Sequence, residues 1–164
     1  MLTPLSVCHD VDMSQVELVG QLDKSVGYVL KQATVALRTA MDAGLRPFEL
    51  SVAQYVSLEL LQQRPGLSNA ELAREAFVSR QSMNLVLRGL QQRGLITRPD
   101  TADHGRARPI KLTPPGRRLW RDSSIAVRAI EKAMLAPFSA AHQTRLLNDL
   151  TVCAAAVSGA DSLR

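Results

Sequence analysis

Between Ser79 and Leu90 the chain separates two kinds of side chain onto two helical faces. Met83, Val86, Leu87 and Leu90 recur at i, i+3, i+4 and i+7, the spacing of a buried stripe, which turns Arg80, Gln81, Asn84, Leu85 and Arg88 outward. The outward set can do a specific kind of chemistry. A Gln or Asn amide pairs bidentately with adenine, a guanidinium suits guanine or phosphate, and a leucine can touch a thymine methyl. Ser79 and Ser82 stand in the first turn, where hydroxyls and helix N–H groups can meet a phosphate. The bland alternative is a solvated helix face, which explains the arginines and amides better than it explains Leu85 among them.

The charge pattern favours a polyanion. The chain of 164 residues has a net charge of +5, and 16 of its 20 basic residues are arginine. From Arg74 to Arg121 there are ten arginines and Lys111 against Glu75, Asp100 and Asp103, a balance of +8, while the rest of the chain carries −3. Such a concentration is an electrostatic footprint for nucleic acid, although a solvated basic face would give the same count.

Other chemistries do not assemble. The chain has no P-loop, no G-x-G-x-x-G, no G-x-S-x-G and no H-E-x-x-H, and His9, His104 and His142 fall in separate segments. Catalysis is therefore not expected, and neither is a cofactor. Asp100, Asp103 and His104 are close in sequence, but in a polar loop solvation explains them better than a metal does. Cys8 and Cys153 match no metal or redox spacing; Cys153 falls on an apolar stripe and reads as core. No apolar run approaches a membrane span and the N-terminus lacks a signal-peptide pattern, so a soluble cytoplasmic protein is expected.

The elements that must position this face follow from local signals. Residues 1–22 read as an arm, in which Ser14–Glu17 has capping-box spacing. Leu22 to Ala40 carry a helical stripe with Asp23 as cap and Gly44 as stop, so residues 23–50 form a first long helix and a bend at Pro47. Residues 51–112 read as three helices and a hairpin. Ser51 caps a helix with Val52, Tyr55, Val56, Leu60 and Leu61 inward; Ser68 and Glu71 form a capping box; Ser79 caps the helix described above, which Gly94 stops. Leu95–Pro99 and Arg108–Leu112 are strand candidates around a polar, glycine-containing loop. Two short helices and a basic hairpin make a winged helix-turn-helix.

Residues 113–164 then hold two long helices, capped by Thr113 and Ser139. Their stripes, Leu119 to Met134 and Leu146, Leu147, Leu150, Cys153, Ala154 and Val157, are too apolar to stand in solvent. They must cover each other or a second subunit. The expected class is thus mainly α with a small β-hairpin wing: a winged helix-turn-helix domain plus long terminal dimerisation helices.

At this point the chain resembles the MarR family of bacterial winged-helix transcription regulators. The resemblance is carried by LSVAQYVSLELL from Leu50, GLSNAELAREAFVSRQSMNLVLRGLQQRGLITR from Gly66 and DHGRARPIKLTPPG from Asp103. It implies a homodimer joined through the first and last two helices, binding double-stranded DNA to control nearby promoters, often relieved by a small aromatic acid. It also places the family's wing arginine on Arg106, for a narrow minor groove, with Arg108 on phosphate.

Tyr28, Phe48, Tyr55 and Trp120 are the candidates for lining an effector cleft, with ordinary core packing as their alternative. Two other readings stay open. Some relatives use an N-terminal cysteine as a peroxide switch, a role that would fall on Cys8, although nothing marks its thiolate as activated. Nonspecific nucleic-acid binding would share the charge but not the need for base-reading side chains.

Overall fold

A computed structural model describes residues 21–97 and 110–160, with side chains through 158. The Ser14–Glu17 box, Cys8, His9, Asp100, Asp103, His104 and the wing arginines Arg106 and Arg108 lie outside the described residues, as do the strand prolines Pro99 and Pro109.

The chain divides into two units, residues 1–36 and 37–164. Among the described residues of the first, a 3-10 turn, Leu22–Lys24, precedes the start of α1 (Val26–Leu45). Asp23, expected as the cap of α1, lies inside that turn. The role passes to Ser25, whose Oγ accepts from the Tyr28 N–H at 3.4 Å and whose carbonyl accepts from Val29 at 3.0 Å.

In the second unit a 3-10 turn, Arg46–Phe48, leads to α2 (Val52–Gln63), α3 (Asn69–Glu75), α4 (Arg80–Gln92), β1 (Ile96–Thr97), β2 (Lys111–Leu112), α5 (Pro114–Leu135) and α6 (Ala140–Ala160). Helices α2 to α5 each begin at the cap that local sequence encodes. Ser51 with Gln54 and Ser68 with Glu71 form complete capping boxes, while Ser79 and Thr113 accept from the N–H of the third residue of their helices at 3.0 and 3.1 Å. Each such cap contributes about 1 kcal/mol.

One core closes this unit. Leu45, Leu58, Leu72, Met83, Leu87 and Leu90 are fully buried. Helix α2 is the hub, packing on α4, α5 and β2. Its inward face includes Leu58, beyond the stripe expected from spacing alone, whereas Leu60 is only half-buried. Gly44 does not stop α1. It is the point where α1 meets α5: a Cβ there would lie 2.8 Å from Ile130 Cδ1.

The strands pair antiparallel, Ile96 opposite Leu112 and Thr97 opposite Lys111, with the apolar partner buried in each strand. The T-x-x-G run after β2 locks α5 onto this hairpin base. Thr113 donates its hydroxyl to the Gly94 carbonyl at 2.7 Å and its N–H to the Leu95 carbonyl at 3.0 Å. Gly116 packs against the same carbonyl so closely that a Cβ would sit 2.0 Å from its oxygen.

Helix α6 differs from the sequence expectation. Of residues 140–158 only Gln143 and Leu146 are even half-buried, and Leu147 and Val157 are 67% and 73% exposed. Cys153, expected in the core, is exposed. The stripe is real, but α5 and α6 do not cover it within one chain.

Candidate nucleic-acid interface

Helix α4 is held rigidly from behind. Met83 and Leu87 are buried beneath it, and the Ser57 hydroxyl on α2 donates to the Ala53 carbonyl at 2.7 Å and lies 3.5 Å from Met83 Sδ. At its start the Asn69 amide donates to the Arg80 carbonyl at 3.4 Å, tying α3 to α4. At its end Arg93 reaches across to the bend, donating to the Glu49 carbonyl at 2.6 Å and the Phe48 carbonyl at 3.1 Å.

The opposite face is open. Arg80, Gln81, Leu85 and Arg88 are exposed, Leu85 to 64%, and Asn84 is half-buried beside them. Gln81, Leu85 and Arg88 follow at i, i+4 and i+7 and so share one line along the helix. Ser79 and Ser82 are exposed at the N-terminus, their hydroxyls 2.8 Å apart.

Not all the arginines of the basic segment belong to this face. Arg93 is spent on backbone carbonyls, and Arg117 donates to the Leu112 carbonyl at 3.1 Å, bracing the hairpin base. Glu75, within the segment, is in turn paired with Arg64 outside it, an ion pair that joins the end of α2 to α3. Charge counting cannot see such uses, because each partner is distant in sequence or a main-chain atom.

The aromatic candidates have different settings. Tyr28 is exposed in the first unit. Phe48 packs half-buried against the core of the second. Tyr55 and Trp120 converge on Glu59, a residue the sequence did not single out. Glu59 Oε2 accepts from the Trp120 indole at 2.8 Å, the Tyr55 hydroxyl at 2.9 Å and the Ser124 hydroxyl at 3.4 Å, while Oε1 accepts from Gln63 at 2.6 Å. Partial burial pushes the Glu59 carboxyl up, but the four donors outweigh it and hold it below the usual carboxylate range. Burial raises the Tyr55 hydroxyl, with Glu59 adding to the effect.

A capped helix pair with one open, amide- and arginine-bearing face, followed by an antiparallel hairpin base, defines a winged helix-turn-helix. The MarR family model matches residues 48–107. The HTH-type transcriptional repressor Rv2887 of Mycobacterium tuberculosis (strain ATCC 25618 / H37Rv) is 41% identical over 121 residues, 74% of this chain and 87% of that protein. Crystal structures of the same M. tuberculosis MarR family protein superpose on the chain. Its complex with salicylic acid gives a TM-score of 0.65 at 39% identity, covering 79% of this chain and 96% of that one. Its complex with DNA gives 0.66 at 38% identity, covering 77% and 97%. The chain belongs to the MarR family.

Proposed function

We propose that the chain is a sequence-specific, DNA-binding transcription regulator, a repressor that acts as a cytoplasmic homodimer on a palindromic operator and is released by a small aromatic ligand. The observation that carries this is the exposed line Gln81, Leu85 and Arg88, with Asn84 beside it, on a helix whose other face is locked into the core. In this reading residues 51–112 are the DNA-binding region. Gln81, Asn84 and Leu85 read base edges, Arg80 and Arg88 reach guanine or phosphate, and Ser79 and Ser82 meet the strand. Arg106 enters the minor groove and Arg108 contacts phosphate.

Dimerisation through residues 23–50 and 113–164 is supported by the apolar side chains that α6 leaves in solvent. Ligand release is supported by Rv2887, named a transcriptional repressor and crystallised both with DNA and with salicylic acid. Of the aromatic candidates, Tyr55 and Trp120, which share Glu59 as acceptor, are the proposed effector-lining residues. The chain carries out no catalytic step of its own, and no described helix is long and apolar enough to cross a membrane.

Two recognition helices related by a two-fold axis enter successive major grooves about 34 Å apart, so the operator is an imperfect palindrome with half-sites ~10 base pairs between centres. Footprinting tests this. Protection of two such half-sites is expected, and protection of one asymmetric half-site contradicts it.

A further inference from the structure

Among the described residues of the second unit, three turns close by the same pair of backbone bonds, and each holds one residue in the left-handed region. After α4, Gly94 at φ +67 is that residue: its N–H bonds the Gln91 carbonyl and the next N–H, of Leu95, bonds the Leu90 carbonyl. Glycine is the usual occupant, because it has no Cβ to crowd the following carbonyl. At the bend before α2 it is Glu49, at φ 53, and there the side chain and carbonyl both engage Arg93. After α3 it is Phe77, at φ 54: its N–H bonds the Arg74 carbonyl at 3.3 Å, and Val78 bonds the Ala73 carbonyl at 3.0 Å.

Phe77 therefore combines two unfavourable features. An aromatic residue occupies the glycine position of the turn, and its ring is 94% exposed. The Val78 N–H bond to the Ala73 carbonyl and the half-buried Val78 side chain anchor the turn in which Phe77 takes this conformation. Its setting is specific as well. Phe77 stands two residues before Ser79, the cap of α4, and lies in sequence between Arg74 and Arg80, both exposed.

We propose that Phe77 is a DNA-contacting residue whose ring packs on the deoxyribose edge of the strand that borders the major groove. This rests on the proposed DNA-binding reading of α4. A ring placed before the cap lies beyond the base-reading face, so the DNA surface within its reach is the strand. The sugar is the apolar part of that strand, and the flanking cations suit the phosphates on either side of it. The contact carries no sequence information and releases no counterion.

The test compares wild type with Phe77→Gly, Phe77→Asn and Phe77→Leu on operator and random duplex, across a salt series, with thermal unfolding of each protein. Glycine and asparagine fit the left-handed position, so both variants should unfold no earlier than wild type. Each should nevertheless lose affinity on the order of fivefold on both duplexes, with an unchanged salt slope, and leucine should recover part of the loss. Unchanged affinity in the Gly and Asn variants overturns the proposal, even if transcription in a reconstituted system changes. So does a loss confined to the operator or accompanied by a flatter salt slope. Arg88→Ala, measured alongside, separates the two ideas. If Arg88→Ala weakens operator binding and Phe77→Gly does not, only the Phe77 contact fails; if wild type binds neither duplex, the DNA-binding reading fails first.

Discussion

The indole N–H of Trp120 on α5 donates to the carboxylate of Glu59 on α2 across 61 residues of sequence, at 2.8 Å. With Tyr55 and Ser124 on the same oxygen, this carboxylate ties α2, which packs behind the proposed DNA-binding face of α4, to one of the long terminal helices. A ligand that displaced either aromatic donor would act directly on that joint.

Glu59 should make the fold acid-sensitive in a defined direction. Its native carboxyl titrates below the ordinary range, so the unfolded chain binds its proton first as pH falls. The stabilisation is complete above the unfolded value, ~4.3, and is lost as pH drops through the lower native one. Urea unfolding from pH 7 to pH 3 should show a steeper decline in wild type than in Glu59→Gln, which cannot titrate. Trp120→Phe, which deletes one donor to a charged acceptor, should cost about 1.5–3 kcal/mol at pH 7. Parallel pH profiles would remove Glu59 from this role.

Two glycines should respond differently to the same added methyl. At Gly116 the Cβ meets a backbone carbonyl that α4, β1 and Thr113 hold in place, so Gly116→Ala should cost more than about 3 kcal/mol or prevent folding. At Gly44 it meets only the Ile130 side chain, whose terminal methyl can rotate away, and Gly44→Ala should cost roughly 1 kcal/mol. Chemical denaturation of both variants decides this, and equal costs would contradict the packing described.

Helix α6 should govern assembly. Leu147 and Leu150 are exposed in the single chain, so Asp at either position costs little within one subunit but places a charge in the proposed dimer interface. Light scattering should give twice 17.9 kDa for wild type and a shift toward the monomer, with an earlier unfolding midpoint, for Leu147→Asp or Leu150→Asp. Wild type at the monomer mass at micromolar concentration would refute the dimer.

Local chemistry was legible in the sequence, and contacts across the chain were not. The caps at Ser51, Ser68, Ser79 and Thr113 act within three residues, so spacing alone locates them. The open face of α4 follows from its buried one by helical period. Glu59 carries no sequence signal because its three Oε2 donors come from two helices, and Arg93 adds to the basic count because its carbonyl partners carry no residue-type signal. Gly44 reads as a helix stop wherever a close neighbour is invisible. Phe77 gave no warning of a left-handed turn, since the residues that announce one are glycine and asparagine. Cys153 shows the reverse limit: its stripe is legible, but which chain covers it is not.

The most direct test of the central claim is the operator preference of Arg88→Ala, titrated with salt on operator and random duplex beside wild type and Arg108→Ala. If α4 reads bases, Arg88→Ala loses about 1–3 kcal/mol on the operator, relaxes preference at one position per half-site and leaves random-duplex binding nearly intact. Arg108→Ala should instead weaken both duplexes alike and reduce the salt slope by about one. Equal losses on operator and random duplex for Arg88→Ala would mean that the basic segment acts only as a charged surface, and sequence-specific regulation by this face would be contradicted.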